Sequence, residues 1–149
     1  MKGSLAFIFF LLFLAGIAFV NLRGMQDDAN AEITAEDQLL DVAWRPTHLG
    51  DMTIDESSPM RLQFNPGGQM GGHAGCNRYF GSYEFRDSGL VFSMVGSTRM
   101  ACEEPANSIE IAYLEALNLV ASAARSETRL AIRSADGETL ARFVAVPRE

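Results

Sequence analysis

Hydrophobic and polar positions are arranged along this chain in three distinct ways, and each predicts a different element. From Leu5 to Val20 every residue is apolar or small, behind the single charge of Lys2. Such an unbroken run is a targeting or membrane element rather than part of a core. Further on, Met60, Leu62 and Phe64 alternate with Arg61 and Gln63, the period of two expected of a half-buried strand, and Asn65-Pro66-Gly67-Gly68 supplies a turn after it. Ile109, Ala112, Tyr113, Ala116, Leu117 and Val120 recur at three and four residues, which places one apolar stripe on a helix.

The remaining segments read as hairpins. Trp44 to Leu49 carries Pro46, which predicts an edge or irregular strand, and Gly50-Asp51 turns it into Met52 to Ile54. Gln69 to Ala74 is a return strand whose Gly71 and Gly72 predict a bulge or a sharp bend. Tyr79 to Phe85 and Leu90 to Val95 flank Asp87-Ser88-Gly89, and Arg129 to Arg133 and Glu138 to Val146 flank a turn ending in Asp136-Gly137. Asn107 is placed to cap the helix, with Glu110 three residues later as the reciprocal partner, and Pro105 marks the boundary before it. The expected fold is therefore mainly β, of the α+β class: a small antiparallel barrel-like domain with one packed amphipathic helix, preceded by an N-terminal hydrophobic helix.

Three regions follow. Residues 1–23 read as a signal-anchor or signal peptide, 24–41 as an acidic, polar linker, and 42–149 as the folded domain. The small-x-small site Ala29-Asn30-Ala31 lies far beyond Val20, past Arg23, Asp27 and Asp28, which favours an uncleaved anchor over a cleaved signal. With Lys2 held in the cytoplasm, the polar remainder is translocated. The expected location is the cell envelope: anchored in an inner membrane with the domain in the periplasm, or secreted there if the signal is cleaved. No cysteine precedes Cys76, so the run cannot end in a lipid-modified cysteine, and any membrane attachment runs through the helix.

Charge and cysteine content narrow the chemistry. A formal net charge of −7, with no Lys/Arg cluster, argues against nucleic acid as partner. The two cysteines, Cys76 and Cys102, form the one possible disulfide in an oxidising compartment. Two alternatives stand beside it. His48 and His73 could join both sulfurs in a metal set, although only His73 and Cys76 are close in sequence. Either histidine could instead serve a nucleophilic cysteine, which requires a free thiol. No serine nucleophile elbow, phosphate-cradling glycine loop or zinc-protease helix is found. No enzyme, no cofactor and no metal is expected.

Gly75-Cys76-Asn77-Arg78-Tyr79-Phe80-Gly81-Ser82-Tyr83, followed by Ser97-Thr98-Arg99-Met100-Ala101-Cys102 and the helix carrying Glu110 to Leu117, resembles the META domain, or HslJ-like heat-shock family. The resemblance runs from Trp44 to the last hairpin at Leu140 to Val146. It implies a barrel-like fold with a packed helix, a Cys76–Cys102 disulfide, an envelope or secreted location, and suggestive links to envelope stress, and it brings no catalytic residue. Some bacterial members look like lipoproteins, which this chain does not.

Asn77, Arg78, Thr98 and Arg99 flank the cysteines and are the candidate binding positions, because amide and guanidinium groups recognise carboxylates and backbone edges. The structural reading of the same residues is a turn asparagine and arginines lying over the barrel. Three functions are consistent with these features: a non-enzymatic envelope module binding an unknown protein or envelope component under stress, a small apolar-ligand carrier, and a thiol-dependent enzyme.

Overall fold

The computed structural model describes residues 31–32, 36–86 and 89–148. The N-terminal run, and with it the expected hydrophobic helix, lies outside them. Among the described residues the alternating segments form ten strands of one antiparallel sheet. In chain order these are β1 (Ala31–Glu32), the helical turn α1 (Asp37–Leu40), β2 (Ala43–Leu49), β3 (Met52–Thr53), β4 (Arg61–Asn65) and β5 (Gln69–His73). They continue with β6 (Arg78–Arg86), β7 (Gly89–Ser97), the helix α2 (Ala106–Asn118), β8 (Ser122–Arg125), β9 (Arg129–Arg133) and β10 (Thr139–Val146).

The spatial order is β1-β8-β9-β10-β2-β4-β5-β6-β7, with β3 added to β2. A Cβ placed on Gly89 at the start of β7 would lie 3.2 Å from the Cβ of Ser122 at the start of β8, so the sheet curls until its two halves nearly meet. The result is a nearly closed, barrel-like sheet with one longer helix, as the residue pattern predicts.

Inward positions fill the enclosed space. Trp44, Phe64, Tyr113 and Phe143 are all at most 1% exposed. Phe64 meets Tyr83 edge-on at 5.1 Å, and Tyr113 meets Tyr79 edge-on at 5.6 Å. The predicted helical stripe is buried at Tyr113, Ala116 and Leu117, and α2 packs on β7, β2 and β10. Each such large side chain contributes about 1.5–3 kcal/mol by leaving water, so a charge at Leu117 would undo the docking of the helix.

Four local expectations are narrowed or corrected. Folded contacts begin before Val42, inside the stretch read as linker, because Leu39 of α1 is fully buried. Pro46 is not on an edge: β10 lines one side of β2, while β4 pairs with Ala43 and Trp44 and β3 pairs with His48 and Leu49 on the other. Thr47 accepts from the Ile54 N–H on the β3 side and Gly50 donates to the Leu140 carbonyl on the other, so by strand alternation Pro46 faces β10, and the register shift at Arg142/Phe143 beside its partner Phe143 makes β2 the irregular strand that a proline predicts. Of the bulge and the bend that Gly71 and Gly72 allow, the bulge is not formed, since both lie in continuous register. They permit close approach instead: a Cβ on Gly72 would sit 1.9 Å from the Arg61 carbonyl oxygen.

The helix cap is the fourth correction. Asn107 lies inside the first turn of α2 and does not cap it. The Glu104 carboxylate does, accepting from the Ser108 N–H at 3.2 Å and the Ser108 hydroxyl at 2.6 Å. Glu110 is thereby free of the capping role and is turned inward.

Candidate functional site

Cys76 lies in the loop between β5 and β6, and Cys102 in the loop between β7 and α2; the Cys76–Cys102 disulfide joins them across a sequence separation of 26. Both sulfurs are thereby used, which removes the metal set and the nucleophilic cysteine from this fold. His73 turns its Nδ1 to accept from the Gly75 N–H at 3.2 Å, and His48 lies beside Thr47.

Asn77 sits at the centre of a polar knot under the disulfide. It is buried, as is Glu110. The Asn77 backbone N–H donates to Glu110 Oε2 at 2.5 Å and its Nδ2 donates to Oε1 at 2.9 Å. Its Oδ1 accepts from the Met100 N–H at 2.7 Å and from the Thr98 hydroxyl at 2.9 Å. One side chain therefore ties together the first cysteine loop, the second cysteine loop and the helix. With donors and acceptors of Asn77 all engaged within the protein, its role is to hold this junction.

The other sequence candidates separate around the knot. Thr98 belongs to it through its hydroxyl and also receives the Arg78 N–H at 3.2 Å. Arg78 is exposed at the start of β6 and points away from the knot's buried side. Arg99 is exposed on the loop and joins neither the knot nor the surface described next.

Arg78 and Thr98 form one end of a groove of about 750 Å³ on the outer face of β4, β5 and β6. Its floor follows from the strand register. Gln63, Gly71, Phe80 and Gly96 lie side by side across four strands. Phe80 is 62% exposed, so most of its ring is open to a ligand. Its ring leans over Gly96, where an added Cβ would come within 3.2 Å of it. Gly71, on its other flank, carries no side chain, and the groove opens there between Phe80 and Gln63. From the next row, Asn65, Gln69 and Ser82 wall the far end.

Among the described residues, the side chains of Gln63, Gln69 and Arg78 have no hydrogen-bond or ion-pair partner within the protein, and no acidic side chain lines the groove. These features can offer an aromatic face, two amides and one guanidinium to a ligand. Phe80, Gln63 and Gln69 escape the sequence reading. The available signal was Phe80 itself, which stands on the outward phase of a strand whose inward phase carries Tyr79 and Tyr83.

Two further polar pairs are structural. The Tyr79 and Tyr113 hydroxyls meet at 3.1 Å in the core, and burial pushes both phenols above their ordinary pKa. Tyr83 donates to the Glu36 carboxylate at 2.8 Å, and the same oxygen accepts the Gly67 N–H at 2.9 Å. Burial and then that carboxylate raise the Tyr83 phenol, while the Tyr83 bond lowers Glu36. These contacts anchor the segment before β2 to the β4–β5 turn. Arg148 anchors the end of the chain nearby, donating to the carbonyls of Leu40 and Phe64 and to Asn65 Oδ1.

A nearly closed antiparallel sheet with one packed helix, its two connecting loops bridged by a disulfide, defines a small barrel-like β domain. Residues 37–147 match the META domain model, and the chain belongs to that family. A protein from Burkholderia xenovorans, solved by NMR, is similar at 29% identity over 83% of this chain and 98% of that one, with a TM-score of 0.60. A second NMR structure is 20% identical over 75% and 96% of the two chains, with a TM-score of 0.58. A crystal structure of a DUF4847 family protein from Bacteroides vulgatus shares the fold at 13% identity, over 76% and 99% of the two chains, with a TM-score of 0.54. No curated protein matches the chain.

Proposed function

We propose that this META-domain chain is a non-enzymatic binding module of the cell envelope, contacting a protein or other envelope component under stress through the groove over β4, β5 and β6. The observation that carries the reading is the contrast between two neighbouring polar clusters. Around Asn77 each group is satisfied internally, whereas in the groove Gln63, Gln69 and Arg78 are left with unused bonding capacity beside an exposed Phe80. A satisfied cluster maintains a fold; an unsatisfied one with an aromatic anchor is what a binding surface requires.

The disulfide supports work in an oxidising compartment, reached through the N-terminal run, which serves as an inner-membrane anchor or as a cleaved signal. The acidic balance of the chain supports a partner other than nucleic acid. The apolar-carrier reading is not carried forward, because Trp44, Phe64, Tyr113 and Phe143 occupy the space such a ligand would need.

Two measurements test the proposal. Cross-linking in intact envelopes compares adducts of the full chain with those of Phe80→Ala and Arg78→Ala; loss of an adduct in both variants is expected, and identical adduct profiles would remove the groove from the reading. Protease added outside spheroplasts is expected to digest the domain, and full protection would overturn the outward placement.

A further inference from the structure

The ligand chemistry of the groove can be argued further, resting on its assignment as the binding surface. Its floor is the face of a sheet and not an edge. The backbone groups of Gly71 and Gly72 are taken up in the ladders to β4 and β6, so a bound chain cannot add itself as another strand. Recognition must come from side chains.

Those side chains have a definite character. Gln63 and Gln69 each present an acceptor and two donor hydrogens, which suits hydroxyl groups, since each of these both donates and accepts. Phe80 offers the flat face of its ring beside the bare floor at Gly71, which suits a thin ligand with C–H bonds on one side and polar groups at its rim. Arg78 is the one charged side chain lining the groove, and it stands at one end beside Thr98. On a protein of formal net charge −7, a lone unpaired cation in an acid-free groove selects an anion there and favours a planar, two-oxygen group. A volume of about 750 Å³ lies within the range of about 300–1,000 Å³ typical of small-ligand clefts.

The geometry points to an acidic saccharide as the ligand: a sugar ring stacked on Phe80, its hydroxyls bonded to Gln63 and Gln69, and its carboxylate paired with Arg78. Both the polar rim and the single charge are required, and a purely apolar molecule would leave the amides and the guanidinium desolvated without partners.

The test is calorimetric titration of the full chain in zwitterionic, sugar-free micelles with a galacturonic acid trimer and with its methyl ester, which keeps the ring hydroxyls and replaces the charged carboxylates by neutral esters. The acid trimer is expected to bind with Kd below about 1 mM and the ester about 10-fold more weakly. Phe80→Ala is expected to weaken both by about 10-fold or more, and Arg78→Met to bring the acid trimer to the level of the ester while leaving the ester unchanged. The folded state of each variant is checked by its thermal transition, since both side chains are exposed.

Absence of heat with both trimers up to about 10 mM, or binding indifferent to Phe80→Ala, overturns the saccharide inference. If neither trimer binds while Phe80→Ala still abolishes the envelope adduct, the ligand class is wrong and the groove assignment stands. If Phe80→Ala is silent in both assays, the two fall together.

Discussion

Replacing Asn77 by alanine tests whether the knot beneath the disulfide holds the fold together. The change removes the bonds from Nδ2 to Glu110 Oε1 and to the Met100 carbonyl and the bonds that Oδ1 receives from Met100 and Thr98, while the backbone bond to Glu110 Oε2 is kept. Met100 and Thr98 are exposed, and water can replace what they lose. Glu110 is buried, and its carboxylate oxygen is left short of a partner.

A hydrogen bond to a charged, buried acceptor is worth about 1.5–3 kcal/mol and each exposed one about 0.5 kcal/mol, giving a total of about 3 kcal/mol. For a domain of this size that is a fall in Tm of about 12 °C. Trp44, the single tryptophan and fully buried, reports unfolding by its fluorescence in urea. Thr98→Val, which removes the hydroxyl's bond to Asn77 Oδ1 and the one it accepts from the Arg78 N–H, is expected to cost about 1 kcal/mol in the same assay. An Asn77→Ala midpoint shift equivalent to under about 1 kcal/mol would refute the argument that this side chain joins the three segments.

Three further outcomes follow from the same geometry. Gly72→Ala forces a Cβ against the Arg61 carbonyl at 1.9 Å and is expected to destabilise by more than about 3 kcal/mol. Gly67→Ala meets no atom within 4 Å and only strains a left-handed backbone, costing about 1–2 kcal/mol; urea midpoints that fail to separate the two would contradict the packing. Replacing both cysteines by serine releases a loop of separation 26 and should lower stability by about 3.5 kcal/mol on the chain-entropy model, and reductant should reproduce the shift in the native chain. The Ser108 bond, then that of Asn107, lowers the Glu104 pKa from its ordinary 4.5. Its contribution to the helix end is therefore present above that ordinary value and is lost as pH falls through the lowered one. The Ser108 amide resonance should hold steady from neutral pH and move only in acid, and a flat titration would argue against the cap.

Much of the fold is legible locally because strands and helices write their burial into sequence periods. Leu62 and Phe64 point inward by alternation, and the stripe through Tyr113 and Leu117 defines the buried face of the helix. What escapes is either short and small or long in range. β8 is Ser122-Ala123-Ala124-Arg125, whose buried alanines are too small to create a contrast with their neighbours. Glu110 reads as a capping residue because Asn107 stands three positions before it, yet its actual partner, Asn77, is 33 residues away. The groove is of the second kind: Gln63, Gly71 and Phe80 are unremarkable separately, and only the register makes them neighbours.

The pairing of β2 with β10 sets Ala43 opposite Val146, so the last strand of the chain lies beside one of the first in mid-sheet. A chain emerging amino end first can assemble β4 to β7 as successive hairpins, and β8 with β9 likewise. β10 completes the bridge between these two blocks by pairing with both β9 and β2, and such a long-range closure is a step that topology makes slow. The architecture of the domain is therefore complete only when its carboxy-terminal strand is in place, and that strand acts as the seam by which the sheet becomes a single cooperative unit.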